Sequence, residues 1–255
     1  MISFLFAAQS FSFDTICFLD KLTDSLQLYL GPEIYQVYRT RNKGSTQNGL
    51  LYGIKGGYDR IKRYKVYYGF EALYASGILC GESSSGKFVK SRFSDNYVEG
   101  RLGYTFQSKC RFKPSFTPFA GIGYFVEKNN CLYPKDLPFH FKTTYLYAAA
   151  GFLSKISLSC YFDLGFNFKV KYPYDAICRV SNDPKEQNSK QAINEEFQYR
   201  FELPLTYQPT SDRFRVSLVP FYEYRQYGYR PNFPYDFLKT RLNLYGAQLK
   251  LIYCL

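Results

Sequence analysis

The run from Leu158 to Val170 alternates apolar and polar residues without a break, and this pattern constrains the fold more than any other feature. Its apolar positions are Leu158, Cys160, Phe162, Leu164, Phe166, Phe168 and Val170. Side chains of a β-strand point to opposite faces in turn, so a period of two predicts a strand whose faces meet different surroundings. A second run, from Glu196 to Tyr207, repeats the pattern with Phe197, Tyr199, Phe201, Leu203, Leu205 and Tyr207.

Both runs are longer than the roughly five or six residues of an average strand and match the roughly 9 to 11 tilted residues that cross a bilayer. The chain contains 27 Tyr and 25 Phe, whose side chains suit a pleated sheet. No stretch approaches the roughly 18 consecutive apolar residues of a membrane-spanning helix. Because a closed barrel is the other structure that satisfies every backbone group in lipid, we predict an all-β, transmembrane antiparallel up-and-down β-barrel.

Eight further runs bring the expected number of strands to about ten. They cover residues 26–38, 49–60, 65–79, 95–107, 115–127, 143–154, 214–227 and 240–254. In the run 143–154 the lipid side is not decided by the pattern. Tyr145, Tyr147 and Leu153 compete for it with Leu146, Ala148 and Phe152.

The connections between these runs alternate in length. Long segments lie at 39–48, 80–94, 128–142, 171–194 and 228–239, and short turns at 61–64, 108–114, 155–156 and 208–213. Transmembrane barrels pair short periplasmic turns with longer outer loops, so we expect an even strand count and both termini on the periplasmic side. The barrel domain then covers residues 26–255, after a candidate signal peptide at 1–10 and a short periplasmic leader at 11–25.

The carboxy-terminal strand carries the most specific motif. Its alternating face consists of Tyr245, Ala247, Leu249, Leu251, Tyr253 and Leu255. In this respect, and in its architecture over residues 26–255, the chain resembles the small outer-membrane β-barrels of the OmpA, OmpX and opacity-protein types. The resemblance implies a bacterial outer-membrane location and recognition by the barrel assembly machinery, with Tyr253 at the aromatic position of the assembly signal. Leu255 departs from the usual terminal Phe.

A soluble barrel or sandwich is the structural alternative, because a period of two does not by itself reveal which face is wet. The strand lengths and the alternation of loops favour the membrane barrel. Its polar face would then line the lumen.

The expected lumen carries both signs of charge. Its charged side chains are Lys55, Asp59, Glu71, Glu99, Arg101, Asp163, Lys169, Glu196, Arg200, Glu202, Arg215, Glu223, Arg225 and Lys250. Barrels of about eight strands have interiors just wide enough for side chains, whereas open channels appear near 16 strands. We therefore expect a neutralising network of ion pairs in preference to a conducting pore.

The catalytic inventory is small. His140 is the single histidine, and it has no Ser or carboxylate among its close sequence neighbours. Resemblance to the ten-stranded outer-membrane proteases is limited to strand count, because their paired acids and His-Asp couple have no counterpart that the sequence identifies. No metal or cofactor motif is present, so we expect neither an enzyme nor a cofactor.

Seven cysteines are present, and we predict that Cys131 pairs with Cys178 across neighbouring loops. A leftover surface cysteine would suggest an envelope cross-linked by disulfides, as resemblance to chlamydial envelopes would imply.

The formal net charge of +12 favours membrane lipid and surface polyanions over nucleic acid as partners. Basic clusters at the first two short turns, expected near lipid headgroups, are Arg60, Lys62, Arg63, Lys65 and Lys109, Arg111, Lys113. A third cluster, expected near lipopolysaccharide phosphates, is Arg39, Arg41 and Lys43. The tyrosines expected in an aromatic girdle are Tyr35, Tyr38, Tyr172, Tyr174, Tyr227 and Tyr229.

Three functions remain open at this stage. The first is a structural or adhesin-like interaction protein whose loops contact host or envelope proteins. The second is a narrow channel for small solutes. The third is a membrane-embedded hydrolase.

Overall fold

The computed structural model of the chain describes residues 25–41, 44–108, 112–134, 139–182, 189–209, 213–228 and 239–255. The expected signal peptide and nearly all of the leader lie outside these residues. The strands are β1 (Ser25–Arg41), β2 (Thr46–Ile61), β3 (Val66–Glu82), β4 (Phe88–Tyr104), β5 (Phe106–Gln107), β6 (Ser115–Tyr133), β7 (His140–Ser157), β8 (Phe162–Ser181), β9 (Ser189–Ala192), β10 (Gln198–Glu202), β11 (Leu205–Tyr207), β12 (Phe214–Tyr227) and β13 (Thr240–Cys254). No helix in the described part of the chain is long and apolar enough to cross a membrane.

These segments form a closed antiparallel barrel of ten strand positions, which confirms the predicted fold class. β4 and β5 share one position against β6. β10 and β11 share another, between β8 and β12. The barrel closes where β1 pairs with β13, from Gln27 opposite Cys254 to Arg41 opposite Thr240.

The two ends of the barrel differ. We call the end that holds Ser25, Cys254 and the connections at 62–65, 108–114, 158–161 and 208–213 the terminal end, and the opposite end the loop end. The predicted turn at 155–156 is wrong, because β7 continues through Ser157, which pairs with Asp163 of β8.

The strands also extend far into the predicted long loops. Pairing continues to Thr40 opposite Thr46, and to Glu82 opposite Phe88, so the first two loop-end connections comprise only residues 42–45 and 83–87. Backbone groups that leave the lipid can still pair with their neighbours, and here they do so to the tips of the hairpins. The sequence interpretation assigned these polar strand ends to loops because their composition is polar.

The outer surface carries an apolar belt. Its outward side chains include Leu28, Ile34, Tyr52, Phe70, Leu102, Ile122, Leu146, Phe166, Leu205, Leu218 and Leu249, all at least one third exposed. On β1 the belt runs from Leu28 to Tyr38, which at roughly 3.4 Å per residue and roughly 40° of tilt gives a height of about 26 Å. Burial also decides which face of β7 meets the lipid, since Leu146 and Ala148 point outward while Tyr145 and Tyr147 are buried.

The loop half of the interior contains an apolar core, beside a smaller number of buried polar side chains such as Arg39, Gln47 and Glu127. The members of the core include Val37, Leu51, Leu73, Leu79, Phe93, Phe125, Tyr145, Tyr147, Phe221, Leu242 and Leu244. Tyr35 and Tyr227 belong to this core, so their prediction as girdle residues is wrong. Tyr38, Tyr172 and Tyr174 do lie outside, exposed by 47%, 42% and 37%. Tyr229 is outside the described residues.

Candidate functional site: a charged layer across the barrel

A layer of twelve charged side chains lies beneath the apolar core and crosses the whole interior. The carboxylates are Glu33, Glu71, Asp95, Glu99, Glu202 and Glu223, and the cations are Lys55, Arg101, Lys169, Lys171, Arg200 and Arg225. β1, β2, β3, β4, β8, β10 and β12 each contribute at least one member. Every member except Glu202 is at most 9% exposed. Six negative and six positive groups make the layer neutral as a whole.

Arg200 on β10 is one centre of the layer. Its guanidinium donates to Glu33 at 3.1 Å, to Glu223 at 2.9 Å and to Glu202 at 2.8 Å. The same group lies 3.8 Å from the ring centroid of Phe221. Planar guanidinium groups suit several carboxylates and an aromatic face at once, so Arg200 joins the layer to the apolar core above it.

Glu71 on β3 is the second centre. It forms ion pairs with the guanidinium of Arg101 at 2.7 Å and with the ammonium of Lys55 at 3.3 Å. The hydroxyl groups of Tyr29 and Tyr97 donate hydrogen bonds to the Glu71 carboxylate, at 3.1 and 2.7 Å. A carboxylate with this many donors is fully satisfied although it is buried.

Glu99 extends this centre along β4. It accepts from Arg101 at 2.7 Å, from Lys169 at 2.9 Å and from the hydroxyl of Tyr147 at 2.8 Å. The ring of Tyr147 lies over Gly123, where an added Cβ would collide with it. Glycine at this position therefore allows the tyrosine to reach the charged layer.

The loop-side margin of the layer is formed by Asp95, Arg225 and Glu223. Arg225 donates to both carboxylates at 2.8 Å. Asp95 also accepts from Tyr35 at 2.8 Å, and Lys171 donates to Glu223 at 2.8 Å. Burial of single charges is costly, but mutual pairing and hydrogen bonding offset that cost.

On the terminal side, the layer forms the floor of a small vestibule. This cavity of about 130 Å³ is lined by Glu71, Arg101, Glu202, Arg215 and Lys250, among others. Lys250 lies 4.0 Å from the ring centroid of Tyr29. The vestibule therefore ends at ion-paired side chains, with the apolar core on their other side.

Nine of the predicted lumen residues belong to the layer. They are Lys55, Glu71, Glu99, Arg101, Lys169, Arg200, Glu202, Glu223 and Arg225. Asp163 instead pairs with Lys155 at 3.2 Å near the terminal end, and Asp59 accepts from Tyr67 at 2.7 Å. Glu196 is not a lumen residue, because its side chain is 44% exposed and lies 3.7 Å from Lys239.

Three members were missed by the sequence interpretation: Glu33, Asp95 and Lys171. For two of them, the alternation along the strand does indicate an inward side chain. Asp95 continues the inward series of Glu99 and Tyr97 on β4, and Lys171 continues that of Lys169 on β8. Lys171 was lost because the predicted strand ended at Val170. Asp95 lay at the first position of the predicted run 95–107 and was not counted among the lumen residues. Glu33 follows Pro32, and its inward position becomes clear only from the burial of β1.

The predicted pair of Cys131 and Cys178 does not form. Cys178 has a free thiol and is 1% exposed inside the barrel on β8. Cys131 lies on β6, separated by β7, and its thiol donates to the carbonyl of Tyr133 at 3.3 Å. Extension of the strands thus places the two residues in ladders and not on loops. Cys160, in the turn 158–161, is disulfide-bonded.

Other predicted positions are distributed as follows. His140 begins β7 at the loop end, where its Nδ1 lies 3.3 Å from Nδ2 of Asn182. Arg39 was expected near outer phosphates, but it points inward, is 4% exposed and donates to Gln47 at 3.4 Å. In the described part of the chain, no group of three potential metal ligands comes together.

The carboxy-terminal strand lies in the lipid-facing wall. Tyr253 points outward, and its ring centroid lies 5.0 Å from that of Phe214. Leu255 is 67% exposed, and its backbone N–H donates to the carbonyl of Leu26 at 2.8 Å. Recognition of this strand by an assembly machinery stays a prediction.

No protein-family model matches the chain, and no curated protein matches it. The crystal structure of the outer membrane protease OmpT from Escherichia coli is similar, with a TM-score of 0.57 and 11% identity over 91% of this chain and 97% of that one. This chain has the fold of an outer-membrane β-barrel. The transport unit of the autotransporter AIDA-I from Escherichia coli also matches, with a TM-score of 0.47 and 9% identity over 92% of each chain.

Proposed function

We propose that this outer-membrane β-barrel is a closed, non-conducting protein that presents its loop end at the cell surface in a structural or interaction role. The observation that carries the proposal is the filled interior. An ion-paired layer and an apolar core lie in series between the two ends, as in narrow barrels whose interior is occupied by side chains.

The loop end supplies a surface for such a role. On β4 the outward residues change from apolar Val98 to Asn96, Ser94, Arg92 and Lys90. At roughly 3.3 Å per residue and roughly 40° of tilt, the eight positions from Asn96 to Phe88 extend about 20 Å past the belt. A rigid rim of paired strands can hold a contact surface with little loss of conformational entropy on binding.

The experiment is surface proteolysis of intact cells that express the full chain, combined with heat-dependent migration on a gel. We expect cleavage only within loop-end connections such as 228–239, while unheated membrane extracts contain a fast-migrating folded band. Cleavage at the terminal-end turns of intact cells, or the absence of a heat-dependent band, would contradict the proposal. Membrane fragments opened by osmotic shock serve as the control for protease access.

A further inference from the structure

Four basic residues stand side by side on the outer face of the barrel. Lys128 of β6 lies opposite Lys142 of β7, Lys142 lies opposite Arg179 of β8, and Arg179 lies opposite Lys190 of β9. All four side chains are exposed. We call this set the cationic row. Its position results from strand pairing and could not be read from the separate places of its members in the sequence.

Like charges directly opposite each other on neighbouring strands destabilise a sheet. In the described part of the chain, no carboxylate lies within ion-pair distance of any of the four. The nearest outward carboxylate on these strands belongs to Asp175, four positions before Arg179 on β8. Among the described residues, the row thus combines three unfavourable neighbour contacts with no carboxylate in ion-pair distance, which points to an external anion.

The height of the row indicates where that anion lies. On β6 the outward residues run Ile122, Tyr124, Val126 and then Lys128, so the row begins one outward position beyond the apolar belt. That step is about 7 Å along the strand. Headgroups of a lipid whose chains contact the belt would lie at this height.

The surface beside the row is concave. A groove of about 610 Å³ is lined by all four cations and by Asn130, His140 and Ser181, which form the next pairs toward the loop end. Neighbouring strands are about 4.8 Å apart, so the row spans about 14 Å. This length suits a headgroup with two or more phosphates better than a single small anion.

We propose that the cationic row binds the phosphate groups of a multiply phosphorylated lipid headgroup in the surrounding leaflet. The ammonium and guanidinium groups supply charge-assisted hydrogen bonds to the phosphate oxygens, and the belt below them contacts the acyl chains. The inference rests on the membrane-spanning orientation proposed above and adds a specific partner to it.

The test uses the folded full chain in neutral detergent, titrated with a bis-phosphorylated glycolipid and observed by native mass spectrometry. The variant K142Q/R179Q removes the two central charges. We expect the affinity of this variant for the glycolipid to fall about thirtyfold, because each basic residue at an anionic surface contributes roughly fivefold to the affinity. Heat-dependent migration of each variant is measured first, so that loss of the barrel itself is distinguished from loss of the site.

The matched control is K87Q/R241Q, which removes two exposed charges at the same end but away from the row. Its affinity should stay within about twofold of the parent. Equal affinities of the parent and K142Q/R179Q, or equal losses in both variants, would overturn the proposal. A second titration with inositol hexakisphosphate, a soluble polyphosphate, distinguishes a lipid from a soluble ligand. If it bound as tightly as the glycolipid and lost as much affinity in K142Q/R179Q, the row would be a site for soluble polyanions and the lipid assignment would be overturned.

Discussion

Arg200 and Glu33 are 167 residues apart in the sequence, and their side chains meet inside the barrel with Nη2 and Oε2 3.1 Å apart. Both are at most 1% exposed. This contact joins β10 to β1 through the interior, independently of the backbone ladders that close the wall. The charged layer thus acts as an internal brace of the barrel.

Replacement of Arg200 by Met should destabilise the barrel by about 3–5 kcal/mol. The substitution keeps much of the side-chain volume but removes the cation closest to Glu33 and one partner each of Glu202 and Glu223. An uncompensated buried charge is costly. Denaturant unfolding of the barrel in lipid vesicles measures the change. Arg241→Met, at an exposed position, is the control and should shift stability by less than about 0.5 kcal/mol. An unchanged midpoint for Arg200→Met would mean that the brace is dispensable.

Asp95 and Arg225 should be energetically coupled. Their side chains are 2.8 Å apart and 130 residues apart in the sequence, and both are buried. A double-mutant cycle with Asp95→Asn and Arg225→Gln should give a coupling energy of about 1–3 kcal/mol. Additive effects of the two substitutions would show that the pair makes no net contribution.

Ile122 tests the lipid belt. It lies near the middle of the outward face of β6 and is 69% exposed. Ile122→Arg would place a charge in hydrocarbon and should cost about 2–4 kcal/mol. Asn48→Arg, outward on β2 beyond the belt, is the matched control and should cost little. Equal small effects in vesicle unfolding would indicate that Ile122 faces water, as in a soluble barrel.

Tyr253 tests the carboxy-terminal assembly signal. Tyr253→Ala should lower the amount of folded barrel in cells by more than the loss of folding stability measured in vitro would predict. Loss of its ring contact with Phe214 should cost about 0.5–1.5 kcal/mol in vitro. The control Tyr207→Ala removes a comparable lipid-facing contact, with Phe162 at 5.2 Å, outside the last strand.

The folded yield is measured as the heat-modifiable fraction of membrane extracts. If Tyr253→Ala and Tyr207→Ala reduced the yield in cells equally, the last strand would have no special role in assembly.

Alternation predicted the strand count, the antiparallel barrel and most of the charged layer from sequence alone. It succeeded on β8 and β10 because lipid outside and paired charges inside give opposite preferences to the two faces. It left Tyr145 and Tyr147 undecided, because both faces of that run are apolar or aromatic, and Tyr35 was wrongly expected in the aromatic girdle. A period of two carries no information when the two environments are chemically alike.

The ends of the strands were the second point that sequence could not supply. Polar residues on both faces, as near Lys90 and Arg92, predict a loop by composition, yet the ladder of β4 continues through them to Phe88. The cationic row was hidden for the same reason, because Lys142 and Arg179 become neighbours only when the register of β7 and β8 is known.

Planar-bilayer conductance of the purified full chain tests the closed barrel most directly. The floor of Glu71, Arg101 and Glu202 beneath the apolar core leads us to expect no stable unitary current at moderate voltage. The insertion of the barrel is verified in the same membranes by protease protection. Reproducible single-channel steps from inserted barrels would contradict the account and favour the narrow channel instead.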